Sequence, residues 1–108
     1  MWNVVFLEEA EKDIKKLDRS AQIQVLKGIS KVGRNPLPAQ DGGYGKPLGN
    51  KNGTNLTNLM KIKFRDLGIR VVYKVECVDE IMRIIVVSAR TDGEVYKEAA
   101  KRRDKHKI

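Results

Sequence analysis

Between Met60 and Val75 the chain alternates apolar and basic residues in two short runs, and a two-residue period over that length is the signature of a β-hairpin. Met60, Ile62 and Phe64 fall on one side of the first run; Lys61, Lys63 and Arg65 fall on the other. In the second run Ile69, Val71, Tyr73 and Val75 form the apolar set, and Arg70 and Lys74 the basic one. Gly68 between them permits the positive φ that a tight turn needs. Joining the apolar sets, with Phe64 opposite Val71 and Ile62 opposite Tyr73, gathers Lys61, Lys63, Arg65, Arg70 and Lys74 on one face. Like charges on one sheet face repel. A local rule broken in this way points to function, and the missing counter-group is most simply a polyanion. The competing reading is a solvated face whose lysines block edge aggregation.

The remaining pattern frames this hairpin. Trp2 to Leu7 reads as a short apolar strand and Glu8 to Leu17 as a helix with Ala10, Ile14 and Leu17 on one stripe. Ser20 can cap a second helix carrying Ile23, Leu26 and Ile29 and closed by Gly33, with Gly28 costing it about 1 kcal/mol. Residues 35–55 are rich in glycine and proline and read as a long loop, in which Lys46 and Lys51 sit. Strands follow over about 56–64, 69–78 and 82–88; Ile84 to Val87 is apolar at every position, as expected of a strand covered on both faces. A helix follows from about Glu94 to Arg103, with Thr91-Asp-Gly-Glu94 spaced as a capping box. The basic tail to Ile108 is expected to fray. The order is β-α-α-β-β-β-α: a small α+β domain spanning 1–108, its mostly antiparallel sheet packed against an N-terminal helical hairpin, with a C-terminal helix.

At 108 residues the chain holds one modest core, and its apolar fraction of 41% is ordinary for a folded domain. The net charge of +8 favours nucleic acid or an acidic protein as partner. The single cysteine, Cys77, excludes an internal disulfide and a multi-cysteine zinc site, and reads as a small buried hydrophobe. No apolar run approaches a membrane span, and the first residues do not form a signal peptide, so a soluble cytoplasmic protein is expected.

The element order, with Lys61-Ile-Lys-Phe-Arg65, Gly68-Ile-Arg70-Val-Val-Tyr73, Arg90 and Glu94-Val-Tyr96 in this spacing, resembles the RelE/ParE superfamily of type II toxin–antitoxin toxins, from Val4 to about Arg103. The 35–55 loop is longer than in the best-known RelE toxins. The resemblance implies a ribosome-dependent endoribonuclease that cuts mRNA in the ribosomal A site without a metal or other cofactor. Its implied partners are the ribosome, mRNA and a cognate antitoxin. Lys61 and Lys63 match the two strand lysines of the RelE site, Arg70 the arginine on the next strand, and Arg90 and Tyr96 the C-terminal arginine and tyrosine. The ParE branch, which acts on DNA gyrase, generally lacks this set. The Glu/His pair of other relatives is missing too, and His106 lies in the tail.

Such a cleavage uses the ribose 2′-hydroxyl as nucleophile and leaves a 2′,3′-cyclic phosphate. Tyr96 is the candidate base, with its pKa of about 10 lowered by the surrounding cations; the lysines remain alternatives for that role. Lys61, Lys63 and Arg70 would stabilise the phosphorane, and Arg90 would hold the phosphate by bidentate contact. Arg65, Lys74, Lys46 and Lys51 are candidates for further RNA-phosphate contacts. Each residue has a simpler reading: Tyr96 as packing, Arg70 as an outward strand residue, Arg90 as the partner of Asp92 or Glu94. Three other functions compete: a ParE-like gyrase toxin, a basic RNA-binding module without catalysis, and an inactive relative.

Overall fold

The structure, a computed structural model, describes residues 2–51 and 54–108. In chain order it forms β1 (Asn3–Phe6), α1 (Glu8–Lys15), α2 (Arg19–Val32), β2 (Lys46–Lys51), β3 (Thr54–Phe64), β4 (Ile69–Glu76), β5 (Ile81–Ser88) and α3 (Asp92–His106). One five-stranded sheet runs β1-β5-β4-β3-β2; only the β1–β5 pair is parallel. The α+β architecture expected from sequence is the one observed. Part of the expected 35–55 loop instead forms the edge strand β2, paired antiparallel to β3. Among the described residues no helix is long and apolar enough to cross a membrane.

The helical hairpin covers one face of the sheet. In α1 the glutamates of the first turn and lysines of the last complement the helix dipole. The cap of α2 is Asp18, not Ser20: its carboxylate accepts from the Ala21 N–H at 2.8 Å, so the helix starts two residues earlier. Its buried stripe is Ala21, Val25, Ile29 and Val32, whereas Ile23 and Leu26 are 46% and 43% exposed. Gly28 explains the choice of stripe. A Cβ there would lie 2.4 Å from Phe64 Cε1, so the glycine lets α2 approach β3 closely and turns the Ile23–Leu26 side outward.

The hairpin register is shifted by two residues from the expected one. Phe64 pairs with Ile69, Ile62 with Val71 and Met60 with Tyr73. An even shift keeps every side chain on its expected face. Gly68 does adopt positive φ, at 66°. Tyr73 is fully buried, with its hydroxyl donating to the Pro36 carbonyl at 2.9 Å. Ile84 to Val87 are buried, as expected for a strand flanked on both sides. Cys77 is exposed, because β4 ends at Glu76 and places it in the turn.

The C-terminal segment is ordered, contrary to the expected fraying. Helix α3 runs to His106, and Lys105 Nζ and His106 Nε2 meet the Glu9 carboxylate at 3.0 and 2.9 Å. Deeper in, Arg102 bonds Asp13 Oδ2 at 2.7 Å, Glu98 Oε2 at 2.8 Å and the Ile85 carbonyl at 2.9 Å, while Asp13 Oδ2 accepts from the Val87 N–H at 3.0 Å. Strand β1 pairs with β5 only as far as Ile84, so these two side chains complete the β5 ladder where β1 runs out.

The Glu9 contacts carry a pH dependence. The hydrogen bond with His106, followed by that of the Glu9 backbone and of Lys105, lowers the Glu9 pKa from 4.5 to about 2. A depressed carboxylate pKa contributes stability that is present above the unfolded value and lost as pH falls through the folded one. Wild type and Glu9→Gln should therefore differ in melting temperature at pH 6, and the difference should shrink between pH 4.5 and 2. A constant difference across that range would show that Glu9 acts by packing.

Candidate functional site

Face and register place the cations. On the side of the sheet away from α2, Lys63 of β3 stands opposite Arg70 of β4, and Arg70 opposite Ser88 of β5. The next row holds Lys46, Lys61 and Val72. Lys61, Lys63, Arg70 and Lys46 thus share a face, as the alternating sequence predicts. Arg65 lies just past the end of β3 in the turn, and with Lys63 and Arg70 it lines a cleft of about 390 Å³. Lys74 has the same facing but is not in the cluster; it stands opposite Leu59 and Arg83 at the other end of β4, near the Arg83–Glu76 ion pair. The side chain of Lys51 lies outside the described residues.

Helix α3 covers this basic face. Its first residue, Asp92, forms an ion pair with the Arg70 guanidinium, and its other oxygen is 3.5 Å from Lys63 Nζ. Burial alone would raise the Asp92 pKa, but the hydrogen bond and charge of Arg70, with those of Lys63, outweigh it and hold the carboxyl below the usual range. Arg70 also donates through Nη1 to the Arg90 carbonyl at 3.0 Å, tying β4 to the segment that leads into α3. Thr91 precedes the helix but makes no capping bond to its backbone. Its hydroxyl donates to the Glu94 carboxylate at 3.1 Å, so the expected capping box is closed by side chains alone.

Tyr96 is 5% exposed, and its hydroxyl has no hydrogen-bond partner among the described residues. Its pKa is raised, the reverse of the expected direction. Burial is the main cause, the Asp92 charge adds to it, and Arg70 opposes it. The Arg70 charge still favours the phenolate, but burial and the neighbouring Asp92 carboxylate outweigh it. Arg90 is half exposed: its Nε donates to Ser88 Oγ at 3.3 Å, and its Nη2 is 4.0 Å from Glu98 Oε1. Its carboxylate neighbour is therefore Glu98, one turn further along α3 than Glu94.

The fold therefore brings Lys61, Lys63, Arg65, Arg70 and Lys46 to one face, with Tyr96 and Arg90 on the segment that covers it. Two cations that grip one carboxylate present the donor geometry that a phosphate needs. Sequence reasoning read Asp92 as a candidate partner of Arg90 and missed its pairing with Lys63 and Arg70, as it missed the Asp13–Arg102 pair. The signal available for Arg102 was its i, i+4 spacing from Glu98.

No family model matches the chain. A curated protein of Escherichia coli, described as a RelE-like toxin protein, is 33% identical over 102 residues, covering 94% of this chain and 96% of its own. This chain belongs to the RelE-like toxins. Solved structures agree. The isolated Escherichia coli RelE toxin superposes with a TM-score of 0.66 at 28% identity, over 94% of this chain and 98% of that one. A double-arginine variant of RelE in the free state gives 0.72 at 28% identity, over 94% and 96%. A RelE variant bound to a RelB antitoxin peptide gives 0.66 at 26% identity, over 91% and 93%. The sheet that carries the cation pair in this RelE-like toxin thus lies in the part of the chain that the relatives share.

Proposed function

We propose that this RelE-like toxin is a ribosome-dependent mRNA endoribonuclease that cleaves by 2′-hydroxyl attack. The observation that carries this is the meeting of the Lys63–Arg70 pair, held by a carboxylate, with an unsatisfied Tyr96 hydroxyl on the same covering helix. A buried hydroxyl left unbonded costs about 1–3 kcal/mol, which an arriving ribose or phosphate oxygen would recover. In the reaction the 2′-oxygen bonds to phosphorus, and the bond from phosphorus to the 5′-oxygen breaks. The 2′-proton leaves to the base and a proton returns to the 5′-oxygen. Tyr96 serves as the base. Lys61, Lys63 and Arg70 stabilise the charge gathering on phosphorus, and Arg90 grips the same phosphate.

The ribosome enters because the site holds no strong acid–base pair of its own. A resting Tyr96 with a raised pKa makes free RNA a poor substrate. A ribosome that aligns the 2′-oxygen with the scissile bond supplies the orientation that the isolated protein lacks. RelE has been solved with a RelB peptide, and a cognate antitoxin is proposed for this chain on the same ground. The +8 charge favours an acidic segment in that partner.

The test is incubation of purified toxin with a programmed ribosome, with EDTA-treated free mRNA alongside. Cuts confined to the A site, present with the ribosome and scarce on free RNA, are expected. Intact A-site mRNA with folded, antitoxin-free protein would overturn the reading.

A further inference from the structure

Lys63 and Arg70 stand directly opposite one another on the sheet, and the resting chain resolves their repulsion with its own Asp92. We infer that Asp92 is a tethered stand-in for the substrate phosphate, which RNA must displace from Lys63 and Arg70 before it can bind. The inference rests on the nuclease reading for what is displaced, but its own content is the competition between a carboxylate and a phosphate for two cations.

Three observations support it. The carboxylate offers one oxygen to each cation, as a bridging phosphate would. It sits at the first position of α3, one turn before Tyr96 on the same helix. Its charge also adds to burial in opposing ionisation of Tyr96, so the carboxylate on the phosphate site works against the base as well. Asp92 ties the first turn of α3 to the sheet through Lys63 and Arg70, whereas Arg102 fixes the far half. The helix is thus firmly held at one end and held at the other by a contact that an incoming anion can replace.

A single-stranded oligonucleotide with 2′-O-methyl riboses tests this, because it carries phosphates but cannot be cleaved by 2′-hydroxyl attack. If the closed contact is populated about nine times in ten, Asp92→Asn should bind the probe about tenfold more tightly. The salt dependence should change too. One carboxylate cancels one unit of positive charge, so removing it should steepen the slope of log affinity against log salt by about 0.7. Unchanged affinity and slope would overturn the inference and leave Asp92 as a structural staple. Asp92→Ser provides a second neutral variant, and failure of both to fold would overturn the inference equally. The nuclease reading fails separately: tighter binding with no A-site cleavage by either protein would sink that reading and leave the Asp92 assignment standing.

Discussion

Tyr96→Phe is expected to lower the rate of A-site cleavage by about 10²–10⁴-fold, the usual range for a general acid–base group, while leaving the folded protein as stable as wild type or more so. The two halves of this expectation have one cause. The ring is buried and its packing survives the substitution, but the hydroxyl has no hydrogen-bond partner among the described residues. Deleting a buried unsatisfied hydroxyl removes a desolvation cost of about 1–3 kcal/mol. A residue kept for packing alone would show no activity loss. Single-turnover cleavage on ribosomes and thermal melts of the two proteins decide the matter. Cleavage at the wild-type rate would exclude Tyr96 as the base.

Arg102→Ala should be strongly destabilising, by up to about 3 kcal/mol, because it leaves the largely shielded Asp13 carboxylate without its partner. For a chain of this size that is a drop of up to roughly 15 °C in melting temperature. Asp13→Leu with Arg102→Met should recover only part of the loss, because the Val87 N–H and the Ile85 carbonyl would then both lack partners. Full recovery would mean that the ion pair, and not the completed ladder, is what the two residues provide. Melts of wild type and the two variants separate these outcomes.

The periodic parts of this chain were legible. Alternation fixed the faces of β3 and β4 even though the register came out two residues away, because a two-residue shift leaves the pleat unchanged. Tyr73 was recognisable as core for the same reason. What could not be read were the features decided by tertiary approach. Two overlapping apolar stripes fit α2, and only the contact of Gly28 with Phe64 selects between them. Strand β2 contains Pro47 and Gly49, which argue against a strand until a partner edge is present. In the site, the cations on the sheet were visible as a violated charge rule. The carboxylate that resolves the violation lies on a different element, 22 residues after Arg70, and no local pattern connects them. The expected direction for Tyr96 was inverted chiefly by its burial, which only tertiary packing reveals, with the Asp92 charge adding to it.

The strand order has a consequence for behaviour at high concentration. Both outer strands are poor templates for another chain. β1 is four residues long, and the stretch of β5 beyond it is occupied by Asp13 and Arg102. β2 carries a proline and a shift in register between Pro47 and Gly49. Short outer strands, prolines and bulges are the devices by which natural sheets avoid joining edge to edge. A protein with an apolar sheet interior as dense as Ile84 to Val87 would otherwise be exposed to runaway stacking. Here the ends are blunted, which disfavours growth of the sheet from one molecule to the next in the folded state.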